Sequence, residues 1–179
     1  ILLKTGLRIS EFCGLTVDDI DFADGMINID HQLLWETNKG RYIDTPKSKS
    51  SIRKVPMSGE ARKALERVIA WRGEPEPYTV DGYSGFLFVS ESGKPYLAYH
   101  YQTVLRRAVQ KYNKTHEDKL PKISPHVLRH TFCSRLAGKN MNPKSLQYIM
   151  GHADINITLN LYAHVSLDAV KAEVVKLIA

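Results

Sequence analysis

Apolar and polar positions alternate near the front of this chain and recur at helical spacing over its second half. Residues 26–31 alternate, which predicts a strand. Residues 40–45 and 52–56 predict two more, and the short, polar, basic stretch 46–51 reads as a hairpin tip between them. A three-stranded antiparallel sheet follows from that spacing. Ahead of it lie a helix tail, a turn at Gly6, a short helix carrying Arg8, Glu11 and Phe12, and a capped turn over residues 16–20. Behind it, Ser58 caps a helix reaching residue 72, with Ala61, Leu65, Val68 and Ile69 on one side. A Pro- and Gly-rich loop over 73–85 and a short apolar run over 86–89 lead to a helix over 97–112.

The remaining helices announce their own starts. Ser124-Pro125 supplies a cap residue followed by Pro at the first helical position, and Gly138 ends that helix. Asn142-Pro143 repeats the signal for a helix that stops at Gly151. Asp154 begins another helix towards His164, and Ser166 caps a last one with Val170, Val174, Leu177 and Ile178 on a face. The expected fold is α+β and mostly helical, a single domain with a small sheet near its N-terminal part.

Composition adds little to the fold and something to the partner. The 179 residues are enough for one domain with a full core. A net charge of +6 leans towards a polyanion. Cys13 and Cys133 fall on apolar helix faces and read as buried thiols in a reducing compartment. No apolar run is long enough to span a bilayer, and no signal peptide is visible. Ile1-Leu2-Leu3 reads as the middle of a helix without a cap, so the chain is expected to be a piece of a longer protein.

Six side chains suit attack on a phosphodiester without a metal or other cofactor: Arg8, Lys49, His126, Arg129, His152 and Tyr162. His126 and Arg129 are three apart on one helix face, and His126 sits in the first turn, where free N–H groups favour an anion. Lys49 lies in the basic tip with Lys47, Arg53 and Lys54 around it, a group that also reads as a plain solvated surface. Arg8 follows a Gly turn within pairing distance of Glu11. His152 follows a helix-ending Gly, so its ring is expected to project from a turn. His126 and His130 have the spacing of a zinc-protease helix, but Val127 stands where the general-base Glu would be required. His130 is therefore read as a packed or hydrogen-bonded helper.

The ordered set Thr5-Gly-Leu-Arg8-Ile-Ser-Glu11, Lys49, His126-x-x-Arg129-His130, Gly151-His152 and Tyr162 resembles the catalytic domain of tyrosine recombinases, the phage integrase family. The stretch 45–56 and the ending around Tyr162-Ala163-His164-Val165 look most like integrases of conjugative transposons and Gram-positive phages. The resemblance covers nearly the whole chain, 1–179, and implies that core-binding and arm-binding domains precede it in the parent protein. It implies site-specific recombination of double-stranded DNA, serving integration and excision of a mobile element. Tyr162 would be the nucleophile of a 3′-phosphotyrosine intermediate, Arg8 and Arg129 would hold the non-bridging oxygens, and His126 would assist proton transfer. His152 would hydrogen-bond the phosphate, and Lys49, with Lys47 its rival, would protonate the leaving 5′-oxygen. The expected partners are a homo-tetramer in the synaptic complex and an excisionase-type directionality factor, in the bacterial cytoplasm with no membrane. The rival readings are a type IB topoisomerase, a non-catalytic DNA-binding module and a metal-dependent nuclease.

Overall fold

The computed structural model describes residues 1–45, 52–162 and 175. Lys47, Lys49 and, apart from Val175, the helix expected from Ser166 lie outside the described residues. A helical turn, α1 (Leu2–Thr5), ends at Gly6 in the left-handed region, and α2 (Ile9–Gly14) starts from Arg8. Gly6 has two reasons to be glycine. Its φ is 65°, and a Cβ there would stand 2.3 Å from the Phe132 ring. A 3₁₀ turn over Val17–Asp19 follows, with Asp19 accepting from both the N–H and the hydroxyl of Thr16.

The sheets depart from expectation. A three-stranded antiparallel sheet is present, but it is built from β1 (Ile20–Asp21), β2 (Met26–Ile29) and a C-terminal partner strand, Arg53–Pro56. Between them β3 (Gln32–Glu36) and β4 (Gly40–Asp44) form a separate two-stranded ladder, which makes Arg53–Pro56 β5. The strand at 32–36 was not expected, because consecutive Leu33-Leu34-Trp35 hides the alternation. Its turn chemistry is sound: Gly40 has φ 76°, and Lys39 N–H closes on Glu36 C=O at 3.2 Å. Among the described residues β4 and β5 do not pair; the 46–51 stretch read as a hairpin tip lies outside the described residues. The segment read as a capped turn over 16–20 ends in β1.

The helices follow their signals more closely. They are α3 (Gly59–Arg72), α4 (Ala98–Thr115), α5 (Pro125–Ala137), α6 (Pro143–Met150) and α7 (Ile155–Leu159). Ser58, Ser124, Asn142 and Asp154 each accept a backbone N–H from the first turn, as read from sequence. α4 runs three residues past Tyr112, where the Thr115 hydroxyl bonds back to Tyr112 C=O. α7 is shorter than expected and gives way to turns at Asn160 before Tyr162.

The main core joins Leu7, Phe12 and Leu15 to Ile27, Ile29, Val55, Leu65, Phe86 and Leu87. A smaller cluster under α5 and α6 holds Cys133, Ala137, Leu146 and Met150, with Tyr162 packed against it. Both cysteines are buried and unpaired, and burial pushes the Cys13 thiol up to about 12. Among the described residues no helix is long and apolar enough to cross a membrane.

Candidate active site

Three consecutive carbonyls at the end of α6 organise the site. A helix leaves its last carbonyls without intrahelical partners, and its C-terminal end carries partial negative charge. Here each one accepts from a different arginine. Ile149 C=O takes Arg53 Nε at 2.7 Å, Met150 C=O takes an Arg129 terminal nitrogen at 2.5 Å, and Gly151 C=O takes one from Arg8 at 2.6 Å. The three guanidiniums come from β5, α5 and the cap of α2, far apart in sequence. The left-handed turn at Gly151, φ 60°, ends the helix and presents these carbonyls.

Glu11 is the counter-charge. It is 6% exposed, and both of its oxygens are used twice. Arg53 donates to Oε1 at 2.9 Å and to Oε2 at 2.8 Å; Arg8 donates a side-chain N–H to Oε1 and its backbone N–H to Oε2, each at 2.8 Å. Burial alone would raise the Glu11 carboxyl, but Arg53, then Arg8, hold it below the usual carboxylate range. The pairing of Arg8 with Glu11 read from the sequence is therefore present, and it belongs to a larger network.

Arg129 also donates to Gly6 C=O at 2.6 Å, so it ties the turn before Arg8 to the end of α6. Among the described residues these contacts use two of the five N–H bonds on Arg129 and two on Arg8. The remaining donors give the pair capacity for an anion. Burial, followed by repulsion from Arg8, lowers the Arg129 guanidinium to about 10, and Arg53 adds to that repulsion. An anion entering here would relieve it.

His152 projects from the turn after Gly151, as expected, with Nδ1 3.0 Å from the hydroxyl of fully buried Thr158. Burial, then the charges of Arg129, Arg8 and Arg53, depress its pKa from 6.5 to about 4. The ring is thus neutral when folded, while the unfolded chain takes up its proton first as pH falls. Its contribution to stability is complete above pH 6.5 and is lost progressively towards pH 4. A His152→Asn variant should show a flatter denaturation midpoint over that window, measured by urea titration at successive pH values.

His126 lies exposed in the first turn of α5, one turn ahead of Arg129. His130 is exposed as well and hydrogen-bonded to the Ser134 hydroxyl at 3.4 Å, so of the two alternatives read from sequence it is the hydrogen-bonded one. Tyr162 is not at the arginine cluster. Its hydroxyl donates to Met141 C=O, just before the start of α6. The arginines lie at the other end of that helix, about 12 Å away along its axis. Lys49 is outside the described residues.

Arg53 was read as part of a solvated basic tip and is instead 2% exposed. The signal lay in the strand pattern: β5 alternates buried and exposed, so inward Val55 puts Arg53 inward too. A buried Arg needs acceptors for its N–H groups, and here Glu11 and Ile149 C=O supply them. Among the described residues one His–carboxylate grouping is close enough to share an ion, Asp19, Asp30 and His31. Both ring nitrogens of His31 are engaged there, by Asp30 at 2.6 Å and by Gly14 C=O at 2.7 Å.

Comparison with known proteins agrees with this architecture. The phage integrase family model matches residues 1–168. The transposase from transposon Tn916 of Enterococcus faecalis is 55% identical over 177 residues, which is 99% of this chain and 44% of that protein. Tyrosine recombinase XerC of Pseudomonas syringae is 31% identical over 166 residues, 92% of this chain and 46% of that one. The chain thus spans less than half the length of these curated relatives. A solved structure of the Tn1549 transposon integrase in complex with a circular intermediate DNA superposes with TM-score 0.92 at 52% identity, covering 98% of this chain and 56% of that one. The same integrase is also solved as a Tyr-to-Phe variant in complex with transposon right end DNA, TM-score 0.91. The chain belongs to the phage integrase family, among the tyrosine recombinases.

Proposed function

We propose that this chain is the catalytic domain of a transposon integrase that cuts and rejoins double-stranded DNA through a phosphotyrosine. The observation that carries the proposal is the convergence of Arg8 and Arg129, with neutral His152 beside them, on one helix end. Such a corner holds a phosphate and stabilises the charge that develops on its non-bridging oxygens. With Thr158 donating to Nδ1, His152 would carry its proton on Nε2, the tautomer a phosphate oxygen needs.

In the reaction, Tyr162 Oη bonds to phosphorus and the bond from phosphorus to the 5′-oxygen breaks. His126 receives the phenol proton, and Lys49 delivers one to the leaving oxygen. The products are a 3′-phosphotyrosine and a free 5′-hydroxyl; reversal by another strand's hydroxyl completes exchange without ATP. Tyr162 must first leave Met141 and cross to the other end of α6, a movement we assign to assembly on DNA. The parent protein would add the DNA-clamping domains, assemble as a tetramer on two duplexes, take direction from an accessory factor and act in the bacterial cytoplasm.

The test is a nicked suicide substrate carrying the native transposon end, given to the full-length parent in excess chelator. Covalent trapping supports the reading, and its absence removes it. Relaxation of supercoils by an isolated monomer would instead favour a topoisomerase. Lys49→Ala should slow trapping by about 10²- to 10⁴-fold with DNA affinity retained. A comparable loss in Lys47→Ala, with Lys49→Ala normal, moves the role to Lys47.

A further inference from the structure

We infer that Arg53 is a positioning residue for the phosphate clamp, fixing both the acid and the helix end on which Arg8 and Arg129 lean. The inference rests on the recombinase reading above. Arg53 opens β5 opposite Ile29 and points into the protein, 2% exposed. Its terminal nitrogens meet Glu11 fork to fork, at 2.9 and 2.8 Å, and its Nε reaches Ile149 C=O at 2.7 Å. The next carbonyl along holds Arg129, and the one after that holds Arg8. One planar group therefore sets the distance between Glu11 and the α6 end, the two supports that Arg8 spans.

The space around it is equally specific. A Cβ on Gly151 would lie 2.9 Å from an Arg53 terminal nitrogen, so the glycine ahead of His152 also makes room for this side chain. A buried ion pair is weak evidence for stability, because apolar residues of similar volume replace such pairs at little cost. What an apolar replacement loses is orientation: Glu11 would keep only Arg8 as its guanidinium partner. Lysine would restore charge but not the fork. Arg53 also adds repulsion to Arg129 and His152. Among the described residues, the charged or titratable groups acting on this network are Arg8, Glu11, Arg129, His152 and Cys133.

The experiment uses the full-length recombinase and measures single-turnover cleavage of the suicide substrate at saturating DNA, across pH, beside DNA affinity. Arg53→Met should leave affinity within about 3-fold and reduce the saturated rate about 100-fold. It should also add an acidic limb to the rate profile, because buried Glu11 without Arg53 is more readily protonated. That limb should vanish in the Glu11→Gln/Arg53→Met double variant. Arg53→Lys should recover part of the rate, to about 10-fold below the parent. If Arg53→Met does not fold, Arg53→Lys decides, through the same split between rate and affinity. A parent-like saturated rate in a folded Arg53 variant overturns the inference alone. So does a rate loss fully matched by lost affinity or lost folded protein. No trapping by the unsubstituted protein overturns the recombinase reading, and the inference with it.

Discussion

Tyr162→Phe should abolish covalent trapping of the suicide substrate while leaving DNA binding unchanged. The variant removes one oxygen, and in the proposed reaction no other atom can form the bond to phosphorus. The structural cost is small. Among the described residues the hydroxyl makes one hydrogen bond, to Met141 C=O, in a partly exposed position. Losing it should lower stability by about 1 kcal/mol. A gel showing parent-like protein–DNA adduct with the Phe variant would reassign the nucleophile. Burial, with a contribution from Cys133, holds the Tyr162 phenol above its ordinary value. In the proposed reaction, its hydrogen bond at the start of α6 and its distance from the arginines would correspond to an arrangement before attack.

Arg129→Lys should be the most damaging conservative change in the clamp. Arg129 reaches Gly6 C=O and Met150 C=O at once and keeps further donors for a phosphate. A lysine ammonium is a point charge at the end of a flexible stem and cannot span both carbonyls in a fixed plane. Loss of a preorganised donor to developing charge costs about 10²- to 10³-fold in rate. We expect a cleavage loss in that range at saturating DNA, with the protein folded by circular dichroism. Retention of most of the rate would show that charge alone, and not the fork, is what the site uses from Arg129.

The helical half of the fold was plain in the sequence because its signals are local. Ser58, Ser124-Pro125 and Asn142-Pro143 satisfy first-turn N–H groups within their own segments, so their positions alone place the helix starts. The sheets were less legible. The residues 40–44 have the right period for a strand, but period does not name a partner. Pairing with 32–36 was decided by a turn closing at Gly40, and the third strand of the other sheet came from Ile20–Asp21, too short to show alternation. Arg53 was misread for a related reason. In sequence it stands beside Lys54 and close to Lys47 and Lys49, whereas its neighbours in space are Glu11 and Ile149.

The chain itself determined the helix starts, the buried thiols and a set of residues whose types and order resemble those of tyrosine recombinases. These rest on capping, periodicity and residue chemistry, which act over a few positions. Only the tertiary structure decided that three arginines share one helix end, that a single acid supports two of them, and that the phenol rests at the opposite end of α6. Those facts depend on unpaired carbonyls and a buried carboxylate finding partners up to 143 residues away, and such long-range partners leave no period in the sequence.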